Sequence, residues 1–295
     1  MTLDLLRSLM FVPGSRQRML DKALGLSNLD VALFDLEDGV APSEKPTARQ
    51  LIGQTLARPP GGPARFVRIN GVGSGPERIE ADLALLTHPG LEGVLIPKVE
   101  RPDDVLFVAD STASNVKLIA AIESALGLVN APAIAASSPR LLGLMFGAED
   151  YALDLGLPPY REAEARELIY ARSALVNAGA SAHVASFDGV WPDIHDVEGV
   201  RRDALQARRL GFTGKTTFHP GQIDIINDVF SPTEAEAENA QRIVQAFEDA
   251  LARGEGSVAF GGQLLDLPIV ERARRVLRVR AALETTRSAQ PPFGL

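Results

Sequence analysis

The most constraining feature of the sequence is a pair of short apolar runs, each closed by carboxylates. One is Lys117-Leu118-Ile119-Ala120-Ala121-Ile122-Glu123, the other Leu141-Leu142-Gly143-Leu144-Met145-Phe146-Gly147-Ala148-Glu149-Asp150. Apolar runs of about five to eight residues between polar or turn residues fit strands buried on both faces, as in a parallel sheet covered by helices. A carboxylate at the C-terminal end of such a strand sits where α/β folds place their chemistry. Glu123 and Asp150 lie one strand–helix unit apart, so a barrel would set them side by side at its mouth. Two hard oxygen ligands there suit Mg²⁺, which takes one or two protein carboxylates and fills its other positions with water and substrate. The competing reading is helix capping, because an anion at a helix start is favourable. Capping accounts for one carboxylate more readily than for two in adjacent units.

The same alternation recurs along the chain. Leu9–Val12 is an apolar run stopped by Pro13-Gly14, after which Ser15 can cap an amphipathic segment over 16–26. Strand patterns follow at 31–36, 66–70, 93–98, 117–123, 141–146, 182–190 and 214–219, with helical patterns between them at about 43–56, 77–86, 102 onward, 124–136, 161–178 and 196–210. Eight strand–helix units in about 230 residues predict a (β/α)₈ TIM barrel. A doubly wound open sheet fits less well, since the first strand is followed by no GxGxxG turn. Two further helical patterns, 232–253 and 268–283, flank a Gly-rich segment over 254–262. The predicted organisation is a barrel domain over 1–231 and a C-terminal helical extension, or lid, over 232–295, frayed after Ser288.

Composition closes several alternatives. The formal charge of −8 argues against a nucleic-acid partner, which needs a basic face. The chain has no cysteine, which excludes disulfides, thiolate metal sites and a thiol nucleophile. No apolar run approaches the ~20 residues that span a bilayer, and residues 1–18 carry no signal-peptide pattern. The expectation is a soluble, cytoplasmic protein.

The polar residues at the predicted strand ends are Glu37 and Asp38, Arg68, Lys98, Glu123, Asp150 and His219, and a barrel would gather them on one face. Arg68, inside Phe66-Val67-Arg68-Ile69-Asn70, needs an anionic partner. Two readings stand side by side: a structural ion pair with Glu37 or Asp38, and a substrate carboxylate. His219, before Pro220, is more readily a structural hydrogen bonder than a base. The loop Gly71-Val72-Gly73-Ser74-Gly75 is a weak phosphate signal. Asp266, before Leu267-Pro268, reads on its own as a helix N-cap.

Taken in order, several blocks resemble the HpcH/HpaI aldolase and citrate lyase β-subunit family. They are Arg7-Ser8-Leu9-Met10-Phe11-Val12-Pro13-Gly14, Asp35-Leu36-Glu37-Asp38-Gly39-Val40 with Glu44-Lys45, Val67-Arg68-Ile69-Asn70, Ala121-Ile122-Glu123-Ser124-Ala125 and Phe146-Gly147-Ala148-Glu149-Asp150. Gly211–Lys215, His219–Ile223 and the tail from Gly262 to Pro268 extend the similarity to about residues 7–283. The tail with Asp266 places the resemblance among the CoA-ester lyases rather than the small aldolases.

That resemblance implies a Mg²⁺-dependent, reversible Claisen cleavage of a citryl-, citramalyl- or malyl-CoA type thioester to acetyl-CoA and a 2-oxo acid: oxaloacetate, pyruvate or glyoxylate. By it Glu123 and Asp150 hold the metal, Arg68 binds the oxo acid, and Glu37 and Asp38 support metal-bound waters. Lys98, Gly147, Ala148 and Glu149 line the substrate site, and Asp266 is the acid/base at the CoA methyl carbon. It further implies a homo-oligomer, a trimer or hexamer. A malyl-CoA thioesterase on the same scaffold, and a β subunit of a citrate lyase complex acting on an acyl-carrier thioester, are the alternatives. Many members carry an arginine where this chain has Ala125-Leu126-Gly127.

Overall fold

A computed structural model of the chain describes residues 6–74, 76–158 and 165–289. Parts of three expectations therefore lie outside the described residues: the first residues of the 161–178 helix, Gly75 of the glycine loop, and most of the frayed end. The chain divides into two compact units, one from Leu6 to Phe230 and one from Ser231 onward.

The first unit is a closed parallel barrel in the order β1 to β8, with β1 (Ser8–Pro13) pairing both β2 (Val31–Asp35) and β8 (Gly214–Thr217). Between them come β3 (Ala64–Arg68), β4 (Gly93–Ile96), β5 (Lys117–Ile122), β6 (Leu141–Phe146) and β7 (Ala185–Asp188). Alternation divides each strand between two apolar compartments. Met10, Val12, Ala32, Phe34, Val67, Val94 and Ile96 join the layer beneath the helices. Their neighbours Leu9, Phe11, Leu33, Phe66 and Leu95, equally buried, fill the barrel interior. Near-continuous apolar strands are what such two-sided burial demands, and they are why the runs were visible in the sequence.

The helices follow their strands: α1 (Gln17–Leu24), α2 (Lys45–Leu56), α3 (Pro76–Leu83), α4 (Pro102–Asp110), α5 (Ala125–Ala135), α6 (Ala148–Asp154), α7 (Ile169–Ser181), α8 (Val197–Leu210) and α9 (Ile223–Phe230). Guanidinium groups tie the N-terminal face of the barrel to helix ends. Arg65 donates to the carbonyls of Leu56, the last residue of α2, and of Arg58 and Pro59 beyond it. Arg140 donates to Ala109, Thr112 and Ala113 beyond α4. Each satisfies carbonyls that a helix C-terminus leaves without an intrahelical partner. Ser15 does not cap α1: Arg16 takes the N-cap position, and the Ser15 hydroxyl donates to Glu44 across the loop after β2.

The second unit pairs α10 (Glu234–Ala252) with α11 (Leu267–Ala289) through Ala240, Val244 and Phe247 against Val270 and Ala273. Thr233 and Glu236 form a capping box at the start of α10. The Gly-rich segment is not a bare connection. It holds a hairpin, β9 (Val258–Phe260) with β10 (Gln263–Leu265), turned by Gly261 and Gly262 at φ +57° and +80°. Two consecutive left-handed residues are what a two-residue hairpin turn requires, and glycine reaches them without steric cost. No helix among the described residues is long and apolar enough to cross a membrane.

Candidate active site

The site grows from the C-terminal ends of β2 to β6. Asp35 ends β2 and stands in register with Arg68, the last residue of β3. Arg68 donates from Nε to Asp35 Oδ1 at 2.6 Å and from Nη2 to Oδ2 at 2.7 Å, and its plane lies 4.6 Å over the Phe11 ring. Two parallel N–H donors on one carboxylate are the strong form of this pair. Nη1 approaches Glu37 Oε2 at 3.0 Å, yet that buried oxygen has no hydrogen-bond partner. Asp35 is fixed in turn by the N–H groups of Glu37 and Gly39, both at 2.9 Å. A Cβ on Gly39 would stand 2.3 Å from Asp35 Oδ2, so the turn after β2 needs glycine there. Arg68 therefore pairs with Asp35 and Glu37, not with Asp38. Burial pulls its pKa down, but Asp35 and Glu37 outweigh it and hold it above the ordinary arginine value.

Lys98 follows β4 and carries φ of +53°, a left-handed conformation for a side-chain-bearing residue. Such strain, of order 1–3 kcal/mol, persists only where surrounding contacts impose it. Here its N–H donates to Glu123 Oε2 at 3.0 Å, while Nζ reaches Glu37 at 2.8 Å, Asp38 at 3.0 Å and Asp150 at 3.8 Å. The backbone bend thus lets the amide serve Glu123 while the ammonium faces Glu37, Asp38 and Asp150. Burial acts against its charge, and the bond to Glu37 more than offsets that, so its pKa rises.

Glu123 lies just beyond β5 and is 5% exposed. Burial, followed by repulsion from Glu37 and Asp150, pushes its carboxyl up to about 7 against the pull of Arg68 and Lys98. Glu37 is likewise pushed up, first by its burial. Neither metal candidate is a helix cap. Ser124 caps α5 by accepting from Gly127 N at 3.1 Å, and Gly147 occupies the N-cap position of α6, with Asp150 in the first turn. Gly147 is the floor under Glu123: a Cβ there would stand 2.3 Å from Glu123 Cγ. Ala148 is buried behind this turn, and Glu149 faces outward.

The donor set fits a hard divalent cation. Glu123 and Asp150 are paired with an excess of negative charge, Glu123 is costly to ionise unaided, and a lysine ammonium lies within reach of Asp150 and beside Glu37. Mg²⁺ is served by such oxygen donors.

The remaining sequence candidates divide. His219 does not join this group; its Nδ1 accepts from Gly221 N at 3.1 Å and caps a 3₁₀ turn, the structural reading. Val72–Ser74 forms another 3₁₀ turn. Asp266, in the second unit, is exposed and accepts from Ile269 N at 3.3 Å at the start of α11.

Sequence reasoning passed over Asp35, although its position in register with Arg68 follows once both are strand ends. It also passed over a second charged group between sheet and helices. Lys215, fully buried on β8, reaches Asp188 at 2.6 Å and Asp203 at 2.5 Å. Arg172 on α7 closes the group at 2.7 Å from Asp188 and 3.1 Å from Asp203. Two cations face two anions, and Lys215 also donates to Gly189 O at 2.5 Å. A lysine inside Gly214-Lys215-Thr216-Thr217 was the available signal.

Comparison with known proteins agrees with this geometry. The profile of the HpcH/HpaI aldolase/citrate lyase family matches residues 7–220. The citrate lyase subunit beta of Leuconostoc mesenteroides subsp. cremoris is 36% identical over 287 residues, covering 94% of this chain and 93% of that protein. A (3S)-malyl-CoA thioesterase of Cereibacter sphaeroides is 39% identical over 285 residues, covering 96% and 97%. The crystal structure of CitE from Mycobacterium tuberculosis with magnesium, acetoacetate and coenzyme A superposes with a TM-score of 0.79 at 31% identity, covering 93% of this chain and 98% of that one.

Proposed function

The chain belongs to the HpcH/HpaI aldolase/citrate lyase family, and from that premise we propose that it is a Mg²⁺-dependent carbon–carbon lyase. It reversibly cleaves a 3-hydroxy-3-carboxyacyl-CoA to acetyl-CoA and a 2-oxo acid. The observation that carries this reading is the meeting of Arg68, Lys98, Glu123 and Asp150, from three adjacent units and the one before them, at one end of the barrel. Support also comes from a related structure, the citrate lyase beta subunit of M. tuberculosis with oxaloacetate and magnesium, at 32% identity and a TM-score of 0.68 over 79% of this chain and 100% of that one.

Glu123 and Asp150 would hold the ion, which supplies Lewis-acid polarisation of substrate oxygens when bound. Arg68 has five N–H donors, of which Asp35 takes two and Nη1 faces Glu37, and the donors left over would serve the substrate carboxylate and the oxygen that becomes the ketone. In cleavage the proton of the 3-hydroxyl would pass to Glu37, whose buried Oε2 has no hydrogen-bond partner, and the bond from the hydroxyl-bearing carbon to the thioester α-carbon breaks. The electron pair stays on the α-carbon, which takes a proton from Asp266. With no cysteine in the chain, a thiol acyl-enzyme has no nucleophile. The protein would work in the cytoplasm as a homo-oligomer.

A thioesterase outcome is the second reading, favoured by the 39% identical malyl-CoA thioesterases. A product assay separates them: citryl-, citramalyl-, malyl- and β-methylmalyl-CoA with Mg²⁺, and EDTA as control. EDTA-sensitive release of an oxo acid without free CoA is the expected result. Free CoA with a hydroxy diacid would replace the lyase by the thioesterase. Turnover of acyl-carrier thioesters alone would make the chain a subunit of a larger complex.

A further inference from the structure

Phe218, one residue beyond β8, is 51% exposed and has a buried aromatic beside it. Its ring centroid lies 5.4 Å from that of Phe11, tilted by 40°, and Phe11 in turn carries the Arg68 guanidinium on its face. Thr216 stands in register with Leu9, whose side chain fills the barrel interior, so Phe218 two residues later continues the inward-facing row. The ring contact with Phe11 places it at the mouth, on the β1–β8 side of Arg68. The other neighbours of Arg68 are acids: Asp35 and Glu37 from β2 and the turn after it, and Glu123, with Asp38 and Asp150 reached through Lys98.

This asymmetry bears on the substituent at the oxo carbon. The two cations bonded into the carboxylate cluster, Arg68 and Lys98, are already engaged by Asp35, Glu37 and Asp38. A second substrate carboxylate, as on oxaloacetate, would face either those acids or two aromatic rings, and either contact is unfavourable. A methyl group would instead cover exposed aromatic surface.

We propose that Phe218, backed by Phe11, is a specificity-determining residue that selects a 2-oxo acid with a small alkyl substituent, so that the preferred thioester is of the citramalyl type. The inference rests on the lyase reading above. Covering one methyl group is worth about fourfold in affinity.

The test is the reverse condensation of acetyl-CoA with pyruvate, glyoxylate or oxaloacetate in Mg²⁺, in the full-length protein and in Phe218→Ala, Phe218→Leu and Phe218→Arg. Wild type should show a KM for pyruvate about fourfold or more below that for glyoxylate. Phe218→Ala should bring that ratio close to one, Phe218→Leu should keep it, and Phe218→Arg should lower the KM for oxaloacetate by about tenfold. The melting-temperature rise produced by pyruvate over that by glyoxylate should vanish in Phe218→Ala, a readout that does not need turnover. An unchanged pyruvate-to-glyoxylate ratio in Phe218→Ala, or a wild-type preference for oxaloacetate, overturns the inference and leaves the lyase standing. No condensation with any acid, and no shift in melting temperature with any, overturns both.

Discussion

Gly147 and Glu123 stand so close that a methyl group on the first would lie 2.3 Å from Cγ and 2.6 Å from Oε1 of the second. The glycine is therefore a requirement of its neighbour's position. Gly147→Ala should displace the Glu123 carboxylate and weaken Mg²⁺ binding by about 10–100-fold, the usual range for a disturbed support of a metal ligand. Isothermal titration with Mg²⁺ measures it, and wild-type affinity would show that Glu123 can hold the ion from another rotamer.

Glu123 also makes a pH prediction whose sign is fixed. Its folded pKa, about 7, lies above the ordinary 4.5. The folded state thus holds this proton more tightly than the unfolded state does. Its contribution to stability is complete below pH 4.5 and is lost as pH rises through 7. Thermal unfolding of the metal-free protein should show Glu123→Gln gaining on wild type between those values. Mg²⁺ favours the ionised carboxylate, so the melting-temperature rise on adding it should be larger at pH 8 than at pH 6. Equal rises at both would detach Glu123 from the metal.

The buried group around Lys215 is a matter of stability. Lys215→Met takes the ammonium away from Asp188 and Asp203, and breaking such a group from one side costs about 3–5 kcal/mol. By contrast, Arg16→Ala removes an exposed pair with Glu44, 58% and 37% accessible, worth at most about 1 kcal/mol. Urea unfolding of the two variants should differ accordingly. A Lys215→Met protein as stable as Arg16→Ala would mean that the aspartates are protonated or hydrated.

Asp266→Asn separates chemistry from capping. Asparagine caps helices about as well as aspartate, so α11 should keep its start and the fold its melting temperature. Turnover should stop, together with deuterium exchange into the acetyl-CoA methyl group, while Mg²⁺ and oxo-acid binding persist. Full activity would leave Asp266 as a helix cap only.

The barrel was legible because parallel strands covered on both faces are near-continuously apolar, as in β1, β2, β4, β5 and β6, and the spacing of those runs leaves room for β3, β7 and β8, which carry Arg68, Ser186 and Lys215. Helix boundaries were less so: Ser15 carries a capping signal, yet its hydroxyl is taken by Glu44 from the next unit. At the site, the residue types and their place at strand ends were visible, while their partners were not. Arg68 demanded an anion, and register rather than sequence proximity chose Asp35. The Gly261-Gly262 pair between Val258-Ala259-Phe260 and Gln263-Leu264-Leu265 is itself a hairpin signal. Lys98 offered no local sign of its left-handed backbone, because that bend is imposed by Glu123 and Glu37 from other units.

That bend makes Lys98 two tools in one residue. Its amide steadies Glu123, whereas its ammonium neutralises Glu37 and Asp38. If Glu123 and Asp150 hold Mg²⁺ as proposed, the ion enters a site that this ammonium already compensates, not a bare acidic hole. Its affinity then reports a difference between two cations. Lys98→Met should accelerate Mg²⁺ association in stopped-flow measurements, and an unchanged rate would mean that the ammonium never stands in the ion's way.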